Sequence, residues 1–421
     1  MSEIYNPQNE QEPSRYATLS AIESGNLRNY TGLAINVISA FIVSVSMGIN
    51  AVIFPVTMKS NGLDSSQIGI ILSLEIAASL LVCILLVKVL TIIKMQVGLI
   101  LSSILRVGTL LGLIIFQSTL SWSVLIFLHG IGIFAFLILL QTWTNTIPFK
   151  RFKGLMVALY STSLSLGIAA GPLVLMWMPS LKPYLVDLFA LVGFSLNYSD
   201  SQIGLIGSML LSLLALLPIL FFLSLTPQFQ FEEGTKLFSV IKKAPALMFA
   251  ITMAGVSYYG VCSFITLYGI HNGFSVTEAS ILLTLYMLGS LCLETPLTFL
   301  SDFFDRRYVL IIAVFLSIIC AVFLPIAIYV YYQVCILVFL WGGIIGVIYS
   351  VALTVIGERF EGGELVAANA GYSLMEGIGG TMGIILIGFS MDTFDSDGLP
   401  YVIMLAGLLY FSFAITRYRV E

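Results

Sequence analysis

The sequence predicts an all-α membrane protein, with twelve transmembrane helices in two pseudo-symmetric six-helix halves. Three observations carry that prediction. The 421-residue chain is 59% hydrophobic and only 10% charged, with a mean hydropathy of +1.04, whereas soluble domains carry about 25% charged residues. Continuous apolar runs long enough to cross about 30 Å of hydrocarbon recur along its length, and they do not alternate as the strands of a barrel would. Phrases of the first half also return in the second at a nearly constant spacing.

Twelve spans are expected, near 33–57, 66–90, 96–117, 121–145, 154–178, 203–225, 246–270, 276–299, 308–328, 334–356, 366–391 and 398–416. Residues 1–32 are polar, with Pro7, Pro13, Ser14 and Ser24, and read as a disordered cytoplasmic tail. The first six-helix half covers 33–225, a polar cytoplasmic linker 226–245, the second half 246–417, and a short tail 418–421. Residues 179–202 form a long outer loop with an apolar middle.

Basic residues orient the chain. With the N-terminus inside, fifteen of the eighteen Lys and Arg fall on inner loops and tails, Lys59 and Lys182 fall outside, and Arg106 lies within a span. Lys and Arg accumulate on the cytoplasmic side, so both termini are expected there. The five cysteines all lie in apolar spans and show no disulfide or metal spacing.

The repeat is specific. Asn61-Gly62 returns as Asn272-Gly273, at an offset of 211. At an offset of 212, Phe127-Leu128-x-Gly130 returns as Phe339-Leu340-x-Gly342, Ala158-x-Tyr160-Ser161 as Ala370-x-Tyr372-Ser373, and Gly167-x-x-x-Gly171 as Gly379-x-x-x-Gly383. Two similar halves facing one another can rock about a midplane site.

Charges inside the membrane are costly and need a reason. Glu75 lies about 14 Å into span two and Arg106 about 16 Å into span three at 1.5 Å per residue, from opposite sides. Consecutive antiparallel spans place them at similar depth, and an ion pair is expected, serving structure or coupling. Glu376 lies ten residues into span eleven with no basic partner evident. Low dielectric favours the protonated form of an isolated carboxyl. Glu376 is therefore either a proton carrier or a permanently neutral group bonded to a neighbouring helix. Glu75 and His129, in spans two and four, are further coupling candidates.

Residues 297–311 read LTFLSDFFDRRYVLI, crowding Asp302, Asp305, Arg306 and Arg307 into one tight loop. Span five carries Gly167-x-x-x-Gly171-Pro172, a close-packing motif followed by a bend. With QTWTN at 141–145, TLYGIHNGFS at 266–275, WGGIIGVIYSVAL at 341–353 and LVAANAGYSLMEGIGG at 365–380, the chain resembles the major facilitator superfamily over about residues 30–417. Within it, the chain is similar to a bacterial subgroup with largely unassigned substrates.

The resemblance implies that the Asp302–Arg307 loop is a cytoplasmic gate, paired in one state and released in the other; a bare topology signal is the other reading. Glu294, near the cytoplasmic end of span eight, would join that gate. The first copy of the loop has eroded to Thr91 and Lys94, and Ile126 stands where many members carry an arginine in span four. The resemblance also implies a cavity walled mainly by spans one, four, seven and ten. Those offer Asn50, Gln141, Trp143, Asn145, Tyr258, Tyr259, Trp341 and Tyr349. Amides and aromatic rings suit a polar or amphipathic solute, and aromatic faces hold cations.

The expected function is secondary active transport of a small organic solute across the bacterial cytoplasmic (inner) membrane by alternating access, proton-coupled, with export favoured by the Gly-Pro motif. Uptake of a nutrient or metabolite, and a non-transporting receptor or scaffold, are the alternatives. The expected partners are membrane lipid, solute and proton, with no nucleic acid, and a monomer. No nucleotide-binding signature, catalytic cluster, cofactor or metal site is expected.

Overall fold

The computed structural model describes residues 15–146, 153–181, 183, 200–221, 243–301, 303–360 and 362–418. Twelve long helices occupy these residues: α1 Arg15–Ser60, α2 Ser65–Ile92, α3 Met95–Ile115, α4 Thr119–Thr146, α5 Lys153–Trp177, α6 Asp200–Phe221, α7 Pro245–His271, α8 Val276–Leu300, α9 Arg306–Ala327, α10 Tyr331–Arg359, α11 Gly362–Phe394 and α12 Gly398–Tyr418. Eleven stretches are apolar enough to cross a membrane, and the last, 370–414, holds both α11 and α12 around the short turn Asp395–Asp397. The twelve expected spans therefore each correspond to a helix. α1 begins at Arg15, inside the segment expected as a disordered tail. The linker 226–242 and most of the outer loop 179–202 lie outside the described residues.

The sequence repeat is a structural repeat. Gly62 and Gly273 both take a left-handed φ, of 85° and 91°, which favours glycine and explains why Asn-Gly recurs there. Each turn leads into a helix start of the same design. Gln67 Oε1 accepts from the Asp64 N–H at 3.1 Å, and Glu278 Oε2 accepts from the Ser275 N–H at 2.9 Å. These reciprocal bonds satisfy amides that a helix N-terminus leaves open.

Glycines set the crossings in the same paired way. A Cβ at Gly130 would meet the backbone of Glu75 on α2, and one at Gly342 would meet the backbone of Tyr286 on α8. A Cβ at Gly167 would meet the Phe41 carbonyl on α1, and one at Gly379 the Thr252 carbonyl on α7. Each second contact lies one repeat after the first. The pairs α1–α5 and α7–α11, α2–α4 and α8–α10, and α3–α6 and α9–α12 follow the same plan, although only one α9–α12 glycine, Gly407, approaches its neighbour through side chains.

The two groups meet along α2 with α11 and α5 with α8. At the end of the bundle holding the 61–64 turn the seam is tight. A Cβ at Gly69 would lie 2.7 Å from the Ile384 carbonyl, and one at Gly388 2.5 Å from the Ser65 carbonyl. The Asp392 carboxylate of α11 accepts from the N–H groups of Ser65 and Ser66, each at 2.8 Å, capping α2 across the seam. An anion at a helix N-terminus is favoured by both open amides and helix dipole. Thr284 Oγ1 on α8 donates to the Ala169 carbonyl of α5 at 3.0 Å.

Candidate functional site

Between the two groups lies a cavity of about 610 Å³. Among the described residues its wall comes from α1, α2, α4 and α5 and from their repeat mates α7, α8, α10 and α11, while α3, α6, α9 and α12 contribute nothing. The wall is therefore broader than the four helices expected.

Asn50, Tyr258, Tyr259 and Tyr349 line the cavity as the sequence suggested. Three other candidates stand elsewhere. Gln141 is exposed beyond the cavity wall that Phe134 and Leu137 form on α4. Trp143 is buried in the core formed with α1, where it stands beside Gly32. Trp341 is fully buried, and its Nε1 donates to Ser317 Oγ on α9 at 2.9 Å. The Asn145 side chain lies outside the described residues. Tyr372, one turn before Glu376, is a lining residue that sequence reasoning missed.

Three carboxyls reach the wall: Glu75 from α2, Glu294 from α8 and Glu376 from α11. Glu75 and Glu376 sit deep in the protein, and their remaining accessible surface faces the cavity. Neither has a hydrogen-bond or ion-pair partner among the described residues. Glu294 is held. It accepts from Ser290 Oγ at 3.2 Å and makes a very short bond with Ser350 Oγ of α10. It thus stands on the cavity wall, with its side chain turned toward the α10 face opened by Gly346.

The expected Glu75–Arg106 ion pair does not form. α4 lies between α2 and α3. Gly130 faces Glu75 on one side, and Gly132 faces Ser102 and Arg106 on the other, where a Cβ would come within 3.0 Å of the Ser102 carbonyl. Two residues turn a helix by about 200°, so these glycines point opposite ways. Similar depth along neighbouring helices does not bring side chains together when a third helix intervenes.

Arg106, 0% exposed, instead opens a ring of hydrogen bonds. Its Nη2 donates to Ser212 Oγ at 2.9 Å. Ser212 joins Ser46 at 3.1 Å, Ser46 joins Ser208 at 2.7 Å, and Ser208 donates to Asn50 Oδ1 at 2.6 Å. Asn50 Nδ2 lies 3.3 Å from His129 Nε2, His129 Nδ1 lies 3.2 Å from Thr109 Oγ1, and Thr109 donates to the Arg106 carbonyl at 2.8 Å. Donors and acceptors fit one direction around the ring only if His129 is neutral with its proton on Nδ1. Such chains polarise each bond in the same sense. The guanidinium also lies 4.9 Å from the Phe136 ring centroid. The Ser46, Ser208 and Ser212 partners were invisible to motif reading, since single serines on apolar helices carry no spacing signal.

The ring occupies both nitrogens of His129 and keeps the residue off the cavity wall. His129→Phe is expected to lower thermal stability by about 1–3 kcal/mol, the cost of leaving the buried Asn50 amide without its acceptor. The pH dependence of transport should stay as in wild type. A changed pH profile at unchanged stability would return His129 to the coupling path.

At the opposite end from the 61–64 turn, Asp305 caps α9, accepting from the Arg307 N–H at 2.9 Å. Arg306 pairs closely with Glu358 at the end of α10, and Arg359 Nη2 donates to the Lys243 carbonyl before α7 at 2.7 Å. These contacts join α7, α9 and α10. Asp302 lies outside the described residues. Gly167 and Gly171 on α5, with Gly379 and Gly383 on α11, sit at the α1 and α7 crossings, and Pro172 lies within α5.

Known proteins share this architecture and part of this sequence. Residues 247–421 match the family model described as Major Facilitator Superfamily. A Bacillus subtilis (strain 168) relative, called uncharacterized MFS-type transporter YfkF, is 25% identical over 304 residues, covering 70% of this chain and 72% of that protein. Among solved structures, a bacterial homologue of the human lysosomal transporter Spinster, inward-facing and unoccupied, superposes with a TM-score of 0.71 at 13% identity, covering 92% of this chain and 95% of that one. The nucleoside transporter NupG superposes with a TM-score of 0.69 at 15% identity, covering 91% and 98%. With the internal repeat and the cavity between its halves, these matches give the chain the fold of major facilitator superfamily transporters, and its second half matches that family's model.

Proposed function

We propose that this transporter couples the movement of a small organic solute to protons, by alternating access across the bacterial cytoplasmic membrane with both termini inside, and that it works as an exporter. The observation that carries this reading is the pair of unpartnered carboxyls, Glu75 and Glu376, on the wall of a cavity shared by both halves. A carboxyl that deep in low dielectric is neutralised by a proton or by another cation. Whatever opens the cavity to one side then decides which side exchanges that proton.

The tight seam at the 61–64 end supports a bundle closed on that side, with Asp392 holding α2. The Asp302–Arg307 loop and its partner Glu358 are proposed as the gate of the other side. Gly167-x-x-x-Gly171-Pro172 favours export. Uptake by the same machinery predicts inward solute flux instead, and a non-transporting receptor predicts none.

The test uses purified protein in liposomes with a pH-sensitive dye trapped inside. A solute panel of amines, nucleosides, sugars and carboxylates is added under an imposed pH gradient. The expected result is proton movement that requires both protein and a solute, opposite in direction to the solute. Solute flux without proton movement would overturn proton coupling, and the same direction for both would overturn export.

A further inference from the structure

Among the described residues lining the cavity there is no lysine, arginine or histidine, although three glutamates stand there. Arg106, the buried cation of the N-terminal half, is sealed behind α4 and committed to its ring. An anionic solute entering this cavity would meet no counter-charge. A neutral one would leave Glu75 and Glu376 to be neutralised by protons alone, as in the empty site.

The rest of the wall is built for the opposite charge. Tyr258 and Tyr259 meet edge to face with ring centroids 5.1 Å apart, and Tyr349 and Tyr372 do the same at 5.2 Å. Tyr372 lies one turn before Glu376 on α11, Tyr259 packs at Gly380 one turn after it, and Tyr258 and Tyr349 share the same cavity wall. Tyrosine faces attract a cation within about 6 Å of the ring, more strongly where water is excluded. Two carboxyls without protein partners share a cavity of about 610 Å³ with these aromatic faces, and together they form a receptor for a positively charged group on an apolar body.

We infer that the cavity takes an organic cation, an ammonium group from primary to quaternary on an apolar or aromatic body, which replaces a proton on the Glu75 and Glu376 carboxyls. The exchange balances: one monovalent cation binds as one proton leaves, and a dication releases two. Charge in the cavity is then the same whether it carries protons or solute. The inference rests on the proton-coupled reading for the direction of flux, but binding alone tests the class.

Calorimetry on the purified protein at pH 6 and pH 8 makes the test. Phenyltrimethylammonium and ethidium are the cationic probes, 4-tert-butylbenzoate is the anionic match, and uridine is the neutral solute. Both cations are expected to bind, more tightly at pH 8, where fewer protons compete. Glu75→Gln and Glu376→Gln should each weaken them by about tenfold or more, the loss of a charge-assisted contact. Tyr349→Leu should weaken cation binding, and Tyr349→Phe should restore it, a pattern that loss of packing or of the hydroxyl would not give. If neither cation binds at either pH, or if the benzoate binds instead, the cation class is overturned. Uridine or benzoate that binds and drives proton flux in liposomes would leave the transporter reading intact. Cation binding without proton flux would overturn coupling and leave the class standing.

Discussion

Glu376→Gln is expected to lower proton-driven transport by at least about tenfold while leaving the protein folded. Glutamine has the shape of the protonated acid and cannot release a proton. Glu376 has no hydrogen-bond or ion-pair partner among the described residues, so the substitution breaks no contact in the fold. The side chain faces the cavity from α11, while its backbone packs against Gly255 of α7, where a Cβ would strike the Glu376 carbonyl. Only the side-chain chemistry therefore changes. Losing a charged contact of about 1.5–3 kcal/mol weakens a solute by about ten- to a hundredfold. Losing the exchangeable proton on Glu376 also removes that carboxyl's share of the driving force.

Two measurements separate these effects. Solute binding at high pH reports the lost contact, and flux under an imposed pH gradient reports the lost proton. Glu376→Asp keeps a carboxyl, one methylene shorter, and should restore part of the gradient-driven flux. Gradient-driven flux that survives in Glu376→Gln would remove the residue from the coupling path and place the proton on Glu75. Insensitivity of both variants together with no flux in wild type would favour the non-transporting alternative.

Axial position was legible in the sequence and azimuth was not. Apolar length and turn chemistry gave twelve helices, and the repeated Asn-Gly phrase marks two left-handed turns with matching helix starts. The depths of Glu75 and Arg106 follow from the rise per residue. Which neighbour each side chain meets depends on rotation about the helix axis. In water a helix shows that rotation through its apolar stripe. In lipid the outward face is also apolar and the stripe fades. Trp341 and Trp143 on this account looked equivalent to Tyr258 and Tyr259, yet the first two face the core and the second two the cavity. Depth alone likewise did not show that Glu294 bonds Ser290 and Ser350 on the cavity wall. The Arg106 ring was hidden because its members lie up to 166 residues apart on α1, α3, α4 and α6. Glycines fared better, since a missing side chain at a repeated position marks a close crossing whichever way the neighbours point.

That last property makes Gly171 a site of large expected loss of stability. A Cβ there would lie 2.6 Å from the Cα and carbonyl carbon of Gly48 and from the Ile49 nitrogen, all backbone atoms of α1. Gly48 returns the contact, because its own Cβ would strike the Ile168 carbonyl of α5. No rotamer change relieves a clash between two backbones; the helices must separate. Within a bilayer, lipid tails solvate apolar side chains as well as a partner helix does, so close packing of this kind carries the association. Gly171→Ala is therefore expected to cost about 1–3 kcal/mol, the usual penalty of overpacking, and Gly171→Leu to prevent recovery of a monodisperse protein. Gly383→Ala should behave alike, since its Cβ would lie 2.7 Å from Val256 Cα on α7. Gly108 of α3 supplies the control. It is exposed, and a Cβ there meets nothing within 4 Å. Gly108→Ala should stabilise by about 0.5–1 kcal/mol through helix propensity alone. Thermal melting of the three alanine variants in one detergent decides the matter. Equal melting temperatures for Gly171→Ala and Gly108→Ala would mean that the α1–α5 crossing is not set by these glycines, and the repeated Gly-x-x-x-Gly would lose its structural meaning in both halves.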